Sequence, residues 1–409
     1  MAQPATEATA SSLTVERDEA VPNFPDGVAF ALDATAATPI ERVELLYAAA
    51  GQETLNLVTP DHVPGTEVAV EHQLDLRGGA LPPGVDVEYR WRLLDAAGNA
   101  TETEPRTVFW RDDRFDWDEI AGDRVRVYAY AGDDPFNQAV LETAERTLDR
   151  LEPTYGARLV DPVRIWVYAS PDDFAGALRP NTEPWIGGAA YPVLGLIHAV
   201  LPTAEAAEIG RVVPHEVSHV LLHQATRNPF NTSPNWLDEG LATYAQEVAD
   251  PAYPDLVRAA ATEGRLESVR TLNAQFPYDA EGARLAYAQS LSLVEHILDV
   301  HGTDGMARLI AVFREGVSFD DAVRRALGIS LDELDAEWRG GLDARDPAPG
   351  AFTGAADERD DGGGLGLPEA ALLASSALIM AVVALLALVA GTVAIRRGRL
   401  PPDPLDAEA

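Results

Sequence analysis

One stretch of this chain places residue types at a spacing suited to metal chemistry: His215-Glu216-Val217-Ser218-His219. On a helix, residues four apart share one face about 6 Å apart, so both imidazoles can reach a single Zn²⁺. The intervening glutamate then sits beside the metal, where it can take a proton from water. A catalytic zinc site needs a third protein ligand and an open position, and His₂Glu is one such set. A candidate third ligand follows in Trp236-Leu237-Asp238-Glu239-Gly240-Leu241-Ala242-Thr243-Tyr244. The intervening Gln224 to Asn235 is rich in Asn, Pro and Thr. Such a segment can end one helix, turn, and bring a carboxylate back on an antiparallel one. Two histidines on an ordinary helix are the plainer reading of the first motif alone, but that reading leaves the second motif unexplained.

HExxH followed by a W-L-x-E-G-x-A-x-Y helix resembles the gluzincin metallopeptidases, and among them the peptidase MA-like group related to aminopeptidase N. The likeness covers roughly residues 124–342. It implies that His215, His219 and Glu239 bind zinc and that Glu216 is the general base. It also implies a tyrosine hydroxyl for the developing oxyanion. Tyr287-Ala288-Gln289-Ser290-Leu291 is similar to the segment that opens a helix with this tyrosine in aminopeptidase-N-like enzymes. Tyr287 is therefore the candidate, with Tyr278 in reserve.

The chain departs from that pattern in two places. Aminopeptidase-N-like enzymes carry a G-x-M-E-N strand whose Glu grips the free amine of the substrate. The corresponding Trp185-Ile186-Gly187-Gly188-Ala189-Ala190-Tyr191 keeps glycines without the acid. Gly187, Gly188 and Ala189 are expected to let an extended peptide approach a sheet edge. The missing charge argues against aminopeptidase activity. The second departure is Pro214, directly before His215. Proline inside a helix costs roughly 3 kcal/mol and removes a hydrogen bond, which predicts a helix restart near Val213 or a kink. A metzincin would need Gly and a third His where this chain has Leu222 and Ala225. His223, one turn beyond His219, reads as a helix-surface or loop-contacting residue, with a supporting role behind the ligands as the alternative.

Several elements must position these residues. Val163 to Tyr168 and Arg124 to Tyr130 read as strands, Asn137 to Leu151 as an amphipathic helix, and Ile186 to Val200 as a third, glycine-containing strand. Helical patterns continue to about Leu342. The expected fold class is multidomain: an N-terminal all-β sandwich of immunoglobulin or fibronectin type, an α+β zincin-type metallopeptidase domain, and a C-terminal transmembrane helix. The sandwich rests on strands such as Val85 to Leu93, where Val, Val, Tyr, Trp and Leu alternate with charged residues. The expected boundaries are a disordered 1–11, a sandwich 12–117, a peptidase domain 118–342, an acidic Gly/Pro-rich stalk 343–369, a span 370–395 and a cytoplasmic tail 396–409.

From Ala370 to Ile395 no residue is charged. At about 1.5 Å per residue this reaches roughly 39 Å, enough to cross a bilayer core of about 30 Å. Arg396, Arg397 and Arg399 follow, so the positive-inside rule places the tail in the cytoplasm and the preceding domains outside. The opening MAQPATEATASS has no apolar core, and a signal sequence removed earlier is the reading adopted. The expected partners are a peptide or protein substrate and, through the C-terminal helix, the lipid bilayer.

The 409 residues carry 31 basic and 66 acidic side chains, a net charge of −35, and every basic residue is Arg. Nucleic acid is excluded as a partner, since a phosphate backbone demands a basic footprint. Without cysteine there is no thiolate, so a metal site must use His and carboxylates. The expectation is a membrane-anchored zinc metallopeptidase. The alternative is a surface binding or sensor protein of the same fold that has lost catalysis.

Overall fold

The computed structural model describes residues 13–344 except 53, 78–80, 178–186, 204, 275 and 278. The expected stalk, span and tail lie outside the described residues, as does Tyr278. Among the described residues no helix is long and apolar enough to cross a membrane. The chain divides into two compact units. One comprises the described residues up to Asp118 with those of Asp172–Thr182, and the other the remainder.

The first unit is sheet-rich. Its strands are β1 (Thr14–Asn23), β2 (Gly27–Ala49), β3 (Asn56–Val58), β4 (Gly65–Asp75), β5 (Val85–Asp95), β6 (Ala100–Glu102) and β7 (Arg106–Trp110). The alternation read in β5 is realised: Val85, Val87, Tyr89, Trp91 and Leu93 are buried. All seven strands join one hydrogen-bonded sheet through the long β2. Its first half, Gly27 to Thr35, pairs with β1 and β4, and its second half, from Ile40, pairs with β5 and β3. The register shifts between Thr35 and Ile40, a stretch that includes Pro39. Proline has no N–H for a ladder, so pairing changes partners there.

The second unit begins with β8 (Asp118–Ala121) and β9 (Val125–Ala129), then α1 (Asp134–Tyr155) and β10 (Val163–Tyr168). The short α2 (Pro171–Ala175) comes next in the chain, though all but its first residue counts with the first unit; β11 (Gly188–Tyr191) and β12 (Leu196–Val200) then continue the second. Among the described residues six α-helices complete it: α3 (Ile209–Thr226), α4 (Asn235–Ala245), α5 (Tyr253–Thr262), α6 (Ala280–Phe313), α7 (Phe319–Leu327) and α8 (Leu331–Ala344). The sheet order is β11-β12-β10-β9-β8. β10 runs parallel to both β9 and β12 and is buried on nearly every residue, as a central parallel strand must be.

The expected single strand from Ile186 to Val200 is instead two. β11 returns antiparallel on β12 around a turn at Pro192 to Gly195. Pro192 lacks a ladder donor, and Gly195 takes φ +58°, a conformation that L side chains rarely adopt. The correction matters because it makes β11 the terminal strand of the sheet. α1 also exceeds its expected length. Asp133 caps it by accepting from the Phe136 N–H, and Gly156 ends it at φ +61°.

Candidate metal centre

α3 carries both motif histidines. It runs as one helix through Pro214, so the expected restart near Val213 does not occur. Pro214 cannot donate to the Gly210 carbonyl four residues earlier. The Glu247 N–H, just beyond α4, donates to that carbonyl at 2.8 Å instead. The helix is thus spared an orphaned acceptor, and its start is tied to the end of the helix bearing Glu239. Ser218, inside the motif, is fully buried and shares a 2.6 Å hydrogen bond with the Tyr155 hydroxyl at the end of α1.

α4 brings Glu239 back toward α3. Its neighbour Gly240 packs on α6 so closely that a Cβ would lie 2.6 Å from the Ser290 carbonyl oxygen. Glu239 Oε2 lies 3.5 Å from His215 Nε2 and 3.8 Å from His219 Nε2. The three donor atoms all lie within 4.8 Å of one another. The imidazoles are turned by partners on their far side. The His219 Nδ1–H donates to Asp238 at 2.7 Å, and the Gln246 amide faces His215 Nδ1 at 3.2 Å. Holding Nδ1 in this way presents Nε2 to a metal.

Two observations show that this cluster suits a cation. Glu239 Oε2 is buried without a hydrogen-bond partner, a costly state for a carboxylate oxygen unless a cation meets it. Burial disfavours the charged form of His219, yet Asp238 and Glu239 outweigh it and lift the imidazole to about 10. Ligand atoms about 2.0 Å from a tetrahedral ion are roughly 3.3 Å apart, a little closer than the 3.5 and 3.8 Å from Glu239 Oε2 to the two imidazoles.

Glu216 is 6% exposed. Burial raises its pKa, with Glu239 adding to the shift while His215 and His219 oppose it. The Ala190 N–H on β11 donates to its carboxylate. Gly188 lies against the same group: a Cβ there would stand 2.7 Å from Glu216 Oε1. The Gly187 carbonyl accepts from Val200, and Ala189 pairs with His198, so all three expected substrate-side residues are on or beside the terminal strand. Tyr287 is buried, and its hydroxyl bonds Glu239. Burial, then the carboxylate of Glu239, pushes the phenol well above its usual value. Tyr287 does not open its helix as expected, because Asp279 caps α6 earlier by accepting from the Gly282 N–H. His223 stays outside the cluster. Burial lowers its pKa.

Residues 143–344 match the family described as the Peptidase MA superfamily. Through this segment the chain is peptidase MA-like. The peptidase MA domain thus contains the whole His215–His219–Glu239 cluster, and zinc is the metal that this donor set fits. No curated protein matches the chain. Among solved structures it is similar to an M1 zinc metallopeptidase from Deinococcus radiodurans, at 15% identity over 79% of this chain and 90% of that one, with a TM-score of 0.33. Legionella pneumophila aminopeptidase A shows 12% identity over 81% of this chain and 50% of its own, with a TM-score of 0.36. An aminopeptidase N family protein from Idiomarina loihiensis shows 9% identity over 75% and 72%, with a TM-score of 0.34.

Sequence reasoning missed Asp238 and Gln246 in this peptidase MA domain. Asp238 stands within the second motif, and its position beside Glu239 was a usable signal. Gln246 carries no pattern of its own; packing alone brings it in.

Proposed function

We propose that this protein is a membrane-anchored zinc peptidase whose peptidase MA domain works outside the cytoplasm. The single observation that carries the catalytic part is the convergence of His215, His219 and the unpartnered Glu239 Oε2, with the buried Glu216 beside them. Zinc held by that triad supplies Lewis acidity toward the attacking water and the scissile carbonyl. Glu216 takes the proton of the attacking water and delivers it to the leaving amine. Its raised pKa suits a group that must both accept and release a proton. Tyr287, protonated at neutral pH, donates its O–H to the oxyanion that develops on the carbonyl. β11, the terminal strand of the sheet among the described residues, receives the substrate backbone, and Gly187, Gly188 and Ala189 add little side-chain bulk there.

The reading extends to specificity and location. Gly187 to Tyr191 contain no carboxylate to hold an N-terminal ammonium, which supports cleavage that does not depend on a free amine. The uncharged 370–395 and the arginines after it support a bilayer anchor with a cytoplasmic tail. The N-terminal unit is read as a sandwich-type module of the exposed region. The experiment is a comparison of wild type with Glu216→Gln on amine-blocked and free peptides, with zinc counted in both. The expected result is about one zinc per chain in both proteins, and Glu216-dependent cleavage of blocked and free peptides alike. Zinc binding without Glu216-dependent hydrolysis would leave the catalytically inactive alternative.

A further inference from the structure

β11 meets both the substrate backbone and the general base, and the pairing of the strand fixes which of its groups serves which. In an antiparallel pair, residues that exchange ladder bonds alternate with residues that do not. The Val200 N–H donates to the Gly187 carbonyl at 2.8 Å. From there the register pairs Gly188 with Ala199, Ala189 with His198 and Ala190 with Ile197. Gly187 and Ala189 therefore direct their backbone groups to β12, while Gly188 and Ala190 turn theirs away from it. β11 is the terminal strand among the described residues, so those groups lie along the outer edge. The next position of the same parity is Pro192, which has no N–H. Among the described residues the edge thus has two outward N–H groups, those of Gly188 and Ala190. The Glu216 carboxylate accepts from the Ala190 N–H. It also lies over Gly188, where a Cβ would stand 2.7 Å from Oε1 and 3.0 Å from both Cδ and Cγ.

We propose that this edge is divided: the Ala190 N–H positions the general base Glu216, and an extended peptide bonds the Gly188 N–H instead. The proposal rests on the peptidase reading above and adds to it a positioning group and a substrate register. A glutamate side chain is flexible, and a charge-assisted bond from a fixed donor selects among its rotamers. This donor cannot swing aside, because the ladder to β12 holds the strand. One carboxylate oxygen bound in this way leaves the other to face water at the metal. A carbonyl of the incoming peptide then finds Ala190 engaged and pairs with Gly188.

The test uses the zinc-loaded full chain. Ala190→Pro deletes the donor without losing a bond to β12. Lactic acid placed at position 190 by nonsense suppression does the same with nearly unchanged shape, and serves if the proline variant misfolds. Both should lower kcat about tenfold to a hundredfold, with KM, zinc content and Tm near wild type. On a Glu216→Ala background, where no carboxylate remains to be aimed, they should lower the residual rate no further. A merely structural contact would lower it in both backgrounds, and that result overturns the proposal, as does an unchanged kcat. The register is read by calorimetry on Glu216→Gln, whose carboxamide oxygen can still accept from Ala190. Peptides with one carbonyl at a time reduced to methylene should bind about tenfold more weakly at one position besides the scissile bond. A second such position would mean that the peptide takes the Ala190 N–H, and the division falls. Hydrogen exchange at Ala190 should be slower in wild type than in Glu216→Ala, which reads the contact without turnover; equal exchange overturns it. Should no peptide be cut while that difference persists, the peptidase reading falls and the Ala190–Glu216 contact stands.

Discussion

Gly240→Ala tests whether helix packing positions the third ligand. Its Cβ would lie 2.6 Å from the Ser290 carbonyl oxygen, 2.8 Å from Val294 Cγ2 and 2.9 Å from the Ser290 carbonyl carbon. Two of these three atoms are α6 backbone and cannot swing aside. Ordinary contact begins at 3.4 Å, so α4 must retreat from α6 by about 0.8 Å. Glu239 is the preceding residue and moves with it, away from Tyr287. Overpacking of this kind costs about 1–3 kcal/mol. For a domain of this size that lowers Tm by roughly 2–12 °C. Metal ligands tolerate only about ±0.2 Å, so zinc affinity should fall about tenfold to a hundredfold even after the carboxylate rotates. Melting of metal-free and zinc-loaded protein gives the first quantity, and competition with a chromophoric chelator the second. Gly340→Ala is the control, since a Cβ there meets nothing within 4 Å. If Gly240→Ala melts and holds zinc as the wild type does, close α4–α6 packing does not set the ligand geometry.

Asp238→Ala removes the acceptor for His219 Nδ1 and should weaken zinc about tenfold to a hundredfold with little change in Tm, measurable by chelator competition. Tyr287→Phe should lower kcat by about 10²–10³ with KM nearly unchanged; an unaltered kcat would remove the phenol from the reaction. In the metal-free protein His219 stays protonated up to about pH 10, and it must lose that proton to bind zinc. Zinc affinity should therefore rise about tenfold from pH 6.5 to 7.5, and a flat profile in titrations would contradict the geometry. Gly188→Ala should displace Glu216 and cut kcat about a hundredfold while zinc content stays at the wild-type level.

Much of the site could be read in one dimension because its rules are local. The four-residue spacing of His215 and His219 needs only a helix, and the helix forms. The alternation of Val85 to Leu93 likewise needs only a strand with one buried side. Reading failed where distant backbone intervened. Pro214 looked like a break because its lost hydrogen bond was visible, while the Glu247 N–H that takes over the carbonyl was not. Ile186 to Val200 read as one strand because apolar residues fill both halves, and the turn at Pro192 to Gly195 was passed over. Tyr287 lies inside α6 because the Asp279 cap starts the helix earlier in the chain.

The amino-acid sequence alone determined the chemistry available: no cysteine, no lysine, one HExxH and one following glutamate motif. Those are properties of residue type and short spacing. Tertiary structure alone decided that Glu239 Oε2 faces both imidazoles, that Gly188 and Gly240 give room where a Cβ would collide, and that Asp238 and Gln246 meet the outer nitrogens of the imidazoles. Each of these depends on how α3, α4, α6 and β11 pack. Packing is governed by contacts between residues far apart in the chain, whereas a motif records only neighbours.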